Sequence, residues 1–225
     1  MARNASLAYI LPFAVFIAIL VVNSFVPVPQ WARFAIEIAI IAGVSLPALR
    51  GKPQFPLLSA VVGAGVFVLW IGPDHLFPGY RALPIFNNAL VGYVGVAAPR
   101  HDPEFLVFRV LNSVVTVPIL EELFWRGFLM RWLIDRDFTS VRLGTYSASA
   151  FWIVALLFAS EHGSYWDVGL LAGVVYNLWI MRTRNLLDSI VAHAATNACL
   201  AAWVIWAGQW QYWTFGTDSL TVAAR

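Results

Sequence analysis

Several apolar blocks, each long enough to cross a lipid bilayer, constrain this chain more than any other feature. A membrane span needs about 20 consecutive apolar residues, and the first block, SLAYILPFAVFIAILVVNSFV, has that length. Only 12% of the 225 residues are charged, whereas a soluble domain carries roughly 25%. We therefore predict an integral membrane protein.

The apolar blocks predict an all-α fold, a polytopic membrane helix bundle of about seven transmembrane helices. A shorter segment over 83–98, rich in Asn, Gly and Pro, is predicted to be re-entrant or interfacial rather than a further span. No linker or internal repeat divides the chain, so we predict one membrane domain over 1–225. The predicted helices are 6–26, 31–49, 55–72, 105–133, 144–162, 167–181 and 186–207.

The basic residues lie mostly in short connecting segments that alternate between the two ends of the predicted helices. Cytoplasmic loops carry an excess of Lys and Arg, so this distribution predicts a cytoplasmic N-terminus. No basic stripe is interleaved with aromatic residues, and we expect the lipid bilayer rather than nucleic acid as a partner. The single cysteine, Cys199, excludes both an internal disulfide and a multi-cysteine metal site.

Some ionisable residues in the apolar blocks have an ordinary structural explanation. Glu37 follows Arg33 by four residues, which predicts an ion pair on the surface of one helix. Asp188 lies in the first turn of the last helix, where it can stabilise the helix N-terminus. Arg109 lies near a helix end, and its long side chain is expected to extend to the membrane surface.

The stretch EELFWR, which contains Glu121, Glu122 and Arg126, resists such an explanation. Residues four apart share a helix face, so Arg126 can pair with Glu122, and we expect a bidentate pair. Glu121 is turned by about 100° from Glu122 and needs a different partner. Because an ionisable residue inside a span indicates function by default, we predict that these residues form part of a site.

Two further helices offer polar side chains at helical spacing. Phe158 and His162 lie one turn apart in FASEH, and His193 and Asn197 lie one turn apart in HAATN. A water held between a carboxylate and a histidine can be deprotonated to attack a carbonyl, and Asn and His N–H groups can stabilise the oxyanion.

The same groups also suit a divalent metal such as zinc. Two histidines and one glutamate with an open position form a known catalytic zinc ligand set. The residues for such a set would be Glu122, His162 and His193. The sequence leaves the metal-dependent and metal-free schemes open.

The three motifs EExxxR, FxxxH and HxxxN, in this order on successive apolar helices, resemble those of the CPBP family. These are the CAAX-processing and bacteriocin-processing (Abi) intramembrane proteases. The resemblance covers a motif-bearing core of about 105–205 and extends to a bacterial subgroup associated with exosortase sorting systems. It implies an endopeptidase of the bacterial inner membrane, acting on a membrane-associated protein or peptide.

The resemblance also implies roles for the motif residues. Either Glu121 or Glu122 activates water together with His162, and His193 and Asn197 bind the oxyanion. The remaining two members of the motifs support the site: they are Arg126, which holds the glutamates, and Phe158, which lines the site.

Two other readings compete with a protease. One is a non-catalytic membrane adaptor or immunity factor on the same scaffold, and the other is a proton or ion transporter. Symmetric pairs of interrupted helices, a mark of transporters, do not occur in the sequence, nor do the HExxH, GxGD or GxSxG protease motifs. With the predicted helix ends, His162 lies nearer the outer face than Glu122 and His193. Either the fifth helix tilts and begins later than 144, or His162 does not contact the reacting groups.

Overall fold

The structure, a computed structural model, describes residues 2–86 and 101–213. These two ranges contain helices and turns and no β-strand, which confirms the predicted all-α fold. Residues Pro84–Phe86 form a single 3-10 turn. The rest of the predicted re-entrant segment lies outside the described residues, apart from Leu83, which precedes that turn.

Seven main helices make up the described part of the chain, close to the predicted positions. The helices are α1 (Ala2–Asn23), α2 (Gln30–Ile40, continued by a wider turn over Ile41–Ser45), α3 (Pro56–Leu76), α4 (Pro103–Trp132), α5 (Ala148–Ser160), α6 (Trp166–Thr183) and α7 (Leu186–Ala207).

Four of these helices are long and apolar enough to cross a membrane, judged by length and composition. They are α1, α3, α4 and α7. Helix α5 has 13 residues, which at 1.5 Å per residue extend about 20 Å, less than the roughly 30 Å of a hydrocarbon core. The seven described helices agree with the predicted number, and α5 is shorter than predicted because the range 144–162 includes turn residues at both ends.

Side-chain caps determine where two of the helices begin. Asp102 accepts hydrogen bonds from the backbone N–H groups of Glu104 and Phe105 at the start of α4. Asn185 does the same for the first turn of α7. Each cap satisfies N–H groups that have no partner within their own helix.

Asp188 has a structural role, as predicted, but it serves a different helix from its own. Its fully buried carboxylate accepts hydrogen bonds from the backbone N–H groups of Gln54 and Phe55, at 3.1 and 2.8 Å, just before α3. The Ser59 hydroxyl, in the first turn of α3, is 3.3 Å from the same carboxylate. This aspartate therefore joins the N-terminal ends of α3 and α7.

Helices α3 and α7 form the most extensive helix pair, and α5 packs along α6. The close approach of α3 to α7 requires a glycine at position 63. A Cβ atom there would lie 2.1 Å from the carbonyl oxygen of Ala192. The Thr196 hydroxyl of α7 donates to the Gly63 carbonyl at 2.8 Å. Small residues and this hydrogen bond therefore add to the Asp188 contacts that join the two helices, as in other membrane bundles.

Candidate functional site

A cavity of about 360 Å³ lies between the helices and contains most of the predicted site residues. Side chains from α1, α2, α3, α4, α6 and α7 and from the end of α5 line it. Five residues of the three motifs are among them: Glu121, Phe158, His162, His193 and Asn197. The other two motif residues, Glu122 and Arg126, lie outside this lining.

Glu122 is completely buried and lies behind the cavity. Its Oε1 accepts two hydrogen bonds of 3.0 Å, one from Nη1 of Arg126 and one from Nδ1 of His193. Arg126 and Glu122 lie one turn apart on α4, so the predicted pairing is found. The bond from His193 joins α7 to the same carboxylate and orients the imidazole ring.

The guanidinium of Arg126 divides its donors among three partners. Nη1 bonds Glu122, Nε bonds the Asn177 side chain at 3.0 Å, and Nη2 bonds the Gly173 carbonyl at 3.3 Å. The expected bidentate pair with Glu122 is therefore wrong, because two of the three donors bind α6 instead. The guanidinium also lies 4.6 Å from the ring centre of Phe158, a favourable cation–π distance.

Glu121 differs sharply from its neighbour. Its side chain lines the cavity and is 6% exposed. Its Oε2 has no hydrogen-bond partner among the described residues, and no cation of the described chain forms an ion pair with it. Burying a carboxylate without protein partners costs free energy. This group is therefore available to bind water or substrate in the cavity.

His193 is held on two sides. Besides its Nδ1 contact with Glu122, its ring stacks on Tyr176 of α6 with ring centres 5.0 Å apart. The Tyr176 hydroxyl donates to Thr196 at 2.7 Å, which fixes the tyrosine. Because Nδ1 donates to the carboxylate, Nε2 is the ring nitrogen left for the cavity.

His162 follows the last turn of α5 and lies beside the same cavity. Its Nδ1 is 2.7 Å from the Phe158 carbonyl oxygen. A carbonyl only accepts, so Nδ1 carries the hydrogen and Nε2 is the acceptor. Helix α5 begins at Ala148, later than the predicted 144, in agreement with one of the two explanations considered for the position of His162.

Two further contacts restrict the His162 ring. Trp70 of α3 meets it edge-on, with ring centres 5.1 Å apart. On the other side, a Cβ at Gly169 would lie 3.1 Å from ring atoms of His162. The imidazole therefore has little room to rotate.

Asn197 is positioned by an irregularity of α4. The Val117 N–H bonds the carbonyl of Asn112, five residues back, in a widened turn, and Pro118 has no N–H to continue the pattern. The Ser113 carbonyl is thus available, and Nδ2 of Asn197 donates to it at 2.7 Å. Widened turns of this kind are frequent at functional sites.

The residues present do not fit the metal set of Glu122, His162 and His193. In the described ranges no group of three His, Cys, Asp or Glu side chains is arranged to hold a metal ion. Oε1 of Glu122 is already bonded by Arg126 and His193. Its Oε2 has no hydrogen-bond partner among the described residues, but the Glu122 side chain is not among those that line the cavity. The predicted water-activating scheme needs no such group, and the mechanism below does not use one.

Several cavity residues were missed or misinterpreted in the sequence. Glu161, directly before His162 in FASEH, lines the cavity, as does Tyr212 after α7. Burial raises the pKa of the Tyr212 hydroxyl, which therefore stays protonated at physiological pH. The motif position of Glu161 was the signal that could have identified it, whereas nothing in the sequence links Tyr212 to the cavity.

Arg33 and Arg109 also line the cavity, contrary to expectation. The Arg33–Glu37 pair, at 2.8 Å, is buried rather than on the surface. The Arg109 guanidinium lies 5.6 Å from a ring centre of Trp213, at the cavity. The positions of both arginines depend on helix packing, which the sequence pattern does not reveal.

Apolar helices of spanning length around a buried cavity with carboxylate, imidazole and amide groups define an integral membrane protein with a site suited to hydrolysis. Residues 103–199 match the family described as type II CAAX prenyl endopeptidase, Rce1-like. Over this segment the chain is similar to the CPBP family of membrane endopeptidases, whose members act on peptide or protein substrates. No curated protein and no solved structure matches the chain.

Proposed function

We propose that this protein hydrolyses a peptide bond of a membrane-associated protein, with water activated by Glu121 and His162. The observation that supports this most directly is the contrast between the two glutamates. Glu122 is bound by two cationic or N–H partners, whereas Glu121 lines the cavity without a partner in the described chain. Glu121 is therefore the carboxylate that can bind water.

In the first step, water lies between the Glu121 carboxylate and Nε2 of His162. Glu121 takes one proton, His162 accepts a hydrogen bond from the other, and the oxygen attacks the carbonyl carbon of the substrate. The C–O bond forms as the carbonyl electrons move onto its oxygen. The proton is held on Glu121 at the end of this step.

The oxyanion then needs donors, and two side chains of α7 supply them. Asn197 uses one Nδ2 hydrogen for Ser113 and has the second for the oxyanion. His193 donates from Nδ1 to Glu122, and in its doubly protonated form it supplies Nε2–H as the second donor. Removing a single oxyanion donor from other enzymes costs roughly 100-fold or more in rate.

In the last step, Glu121 returns its proton to the leaving nitrogen, and the C–N bond breaks. The products are a new carboxyl group and a new amine, and Glu121 is again ionised. Throughout the cycle, Arg126 and Glu122 do not touch the substrate. They are positioning residues that hold His193 and join α4 to α6 and α7.

We further propose that the protein lies in a bacterial cytoplasmic membrane with its N-terminus in the cytoplasm. This orientation is supported by basic residues in the first turn of α1, between α2 and α3, and between α4 and α5, which would share one side if each of the seven helices crosses the membrane. Representative residues are Arg3, Arg50, Arg136 and Arg142.

A cleavage assay with purified protein in lipid nanodiscs tests the proposal. The substrates are membrane-anchored peptides, and wild type is compared with Glu121→Gln and Glu104→Gln. Glu104 is an exposed glutamate on the same helix, so its variant controls for loss of one carboxylate. We expect cleavage by wild type and Glu104→Gln only, whereas cleavage by Glu121→Gln at the wild-type rate would refute the assignment.

A further inference from the structure

An ionic cluster outside the cavity joins the end of α3, the segment that follows it and the start of α6. Arg81, in the segment after α3, donates from Nε to Asp74 at 2.6 Å and from Nη1 to Asp167 at 3.0 Å. The Tyr80 hydroxyl donates to the other oxygen of Asp167 at 2.8 Å. None of these four side chains lines the cavity, and the proposed mechanism uses none of them.

The cluster is more than a surface ion pair. Exposed ion pairs contribute little to stability, but the side chains of Arg81, Asp74 and Asp167 are only 16%, 18% and 24% exposed. The Arg81 guanidinium also lies 4.0 Å from the ring centre of Tyr165, a favourable cation–π distance. Contacts on several sides therefore fix the position of this guanidinium.

Arg81 also holds the short turn between α5 and α6, which contains His162. Its Nη1 donates at 2.6 Å to the carbonyl of Ser164, two residues after His162. Within the turn, the Tyr165 N–H donates to the His162 carbonyl at 2.8 Å. Gly163 has a φ of 53°, a conformation that glycine adopts without steric cost. The backbone of His162 is therefore tied closely to a carbonyl that Arg81 binds.

A second set of contacts leads from Arg81 to the His162 ring. The guanidinium lies over Tyr165, and Tyr165 stacks on Trp70 with ring centres 6.2 Å apart. Trp70 in turn meets the His162 imidazole edge-on, with ring centres 5.1 Å apart. The backbone contacts and the ring contacts of Arg81 thus end on the same histidine.

We propose that Arg81 is a positioning residue that orients His162 towards the attacking water. This inference rests on the proposed peptidase function, in which Nε2 of His162 accepts a hydrogen bond from that water. Arg81 touches neither water nor substrate and acts only through the α5–α6 turn and its aromatic neighbours. Misplacement of a catalytic group by about 1 Å can lower a rate about 100-fold, so the effect on cleavage is large enough to measure.

A double-mutant cycle in the nanodisc cleavage assay tests this role. The kcat of wild type is compared with that of Arg81→Gln, His162→Ala and the double variant. We expect Arg81→Gln to lower kcat at least about tenfold and to leave KM nearly unchanged, because Arg81 lies outside the cavity. In the His162→Ala background it should have little further effect, since residues that act through one another are not additive. An undiminished effect in that background would overturn the proposal.

Arg131→Gln is the matched control. Arg131 is also buried, donates to a backbone carbonyl, that of Gly127, and lies 4.9 Å from the ring centre of Phe138. Its contacts lie away from the α5–α6 turn, so any effect of Arg131→Gln on kcat should be the same with and without His162.

Unfolding temperatures show whether each variant folds. If Arg81→Gln does not fold, Arg81→Lys replaces it in the cycle. Its single ammonium group keeps the charge but cannot bind Asp74, Ser164 and Asp167 together, so the same loss of kcat is expected.

Nitrogen NMR of protein labelled only at histidine gives a second measurement, which needs no cleavage. The chain has four histidines, and the signals missing from His162→Ala belong to His162. In wild type its Nδ1 should carry the hydrogen, because Nδ1 is 2.7 Å from the Phe158 carbonyl oxygen. Arg81→Gln should shift or broaden these signals, and Arg131→Gln should leave them unchanged.

The two measurements separate failure of this inference from failure of the peptidase function. His162 signals that are unchanged in Arg81→Gln would overturn the positioning role, whatever the cleavage assay shows. Absence of cleavage by wild type, together with His162 signals that depend on Arg81, would refute the peptidase function and support the orientation of His162 by Arg81.

Discussion

The substitutions Glu121→Gln and Glu122→Gln should separate a catalytic carboxylate from a structural one. Both replace a carboxylate by an amide of nearly the same shape in adjacent residues of α4. Glu122 is fully buried between Arg126 and His193, at 3.0 Å from each. Glu121 has no ion pair within the described chain.

The expected loss of stability follows from these contacts. Glu122→Gln leaves the buried Arg126 guanidinium without its carboxylate, and breaking a buried ion pair in this way costs about 3–5 kcal/mol. For a protein of this size, 1 kcal/mol corresponds to about 2–4 °C in unfolding temperature, so a fall of at least about 6 °C is expected. Glu121→Gln removes no protein–protein hydrogen bond and should change the unfolding temperature little.

The expected loss of activity differs from the loss of stability. Glu121→Gln removes the general base, a group whose removal costs about 100-fold or more in rate. Glu122→Gln also slows cleavage, because His193 loses the acceptor that orients it. Only Glu122→Gln should therefore combine low activity with low stability.

Differential scanning fluorimetry in detergent, combined with the nanodisc cleavage assay, measures both quantities on the same preparations. Glu104→Gln again serves as the control for removal of an exposed carboxylate. A fall of unfolding temperature in Glu121→Gln equal to that in Glu122→Gln would contradict the assignment, as would a stable Glu122→Gln variant.

Three other perturbations test the site and the helix packing. Arg126→Lys should lower both the cleavage rate and the unfolding temperature, because one ammonium group cannot make the three hydrogen bonds to Glu122, Asn177 and Gly173. Wild-type values for both quantities would show that the guanidinium geometry is unimportant. Dialysis against a zinc chelator should leave the cleavage rate unchanged, and a loss that added zinc restores would contradict the metal-free scheme. Gly63→Ala should lower the free energy of unfolding by about 1–3 kcal/mol through overpacking, because the added Cβ would meet the Ala192 carbonyl. Gly65→Ala is the matched control, since a Cβ there would have nothing within 4 Å. Equal unfolding temperatures for the two variants would refute this view of the α3–α7 contact.

The sequence by itself determined those features that depend on local spacing along the chain. Apolar block length predicted the helices, although it overestimated α5 because the predicted range 144–162 also took in polar turn residues at both ends. Four-residue spacing predicted that Arg126 reaches Glu122, because residues one turn apart share a helix face. The three motifs also predicted one site, and five of their seven residues line the cavity.

Tertiary structure decided which groups each helix face meets. Asp188 binds backbone groups more than 130 residues away, and Arg126 binds α6 with two of its donors. Helix packing left Glu121 in the cavity and closed Glu122 behind it, and it turned Arg33 and Arg109 inward. The spacing of residues within one helix fixes only the directions in which their side chains point around its axis. Which side chains are buried, and which partners they bind, depends on how neighbouring helices pack against that helix.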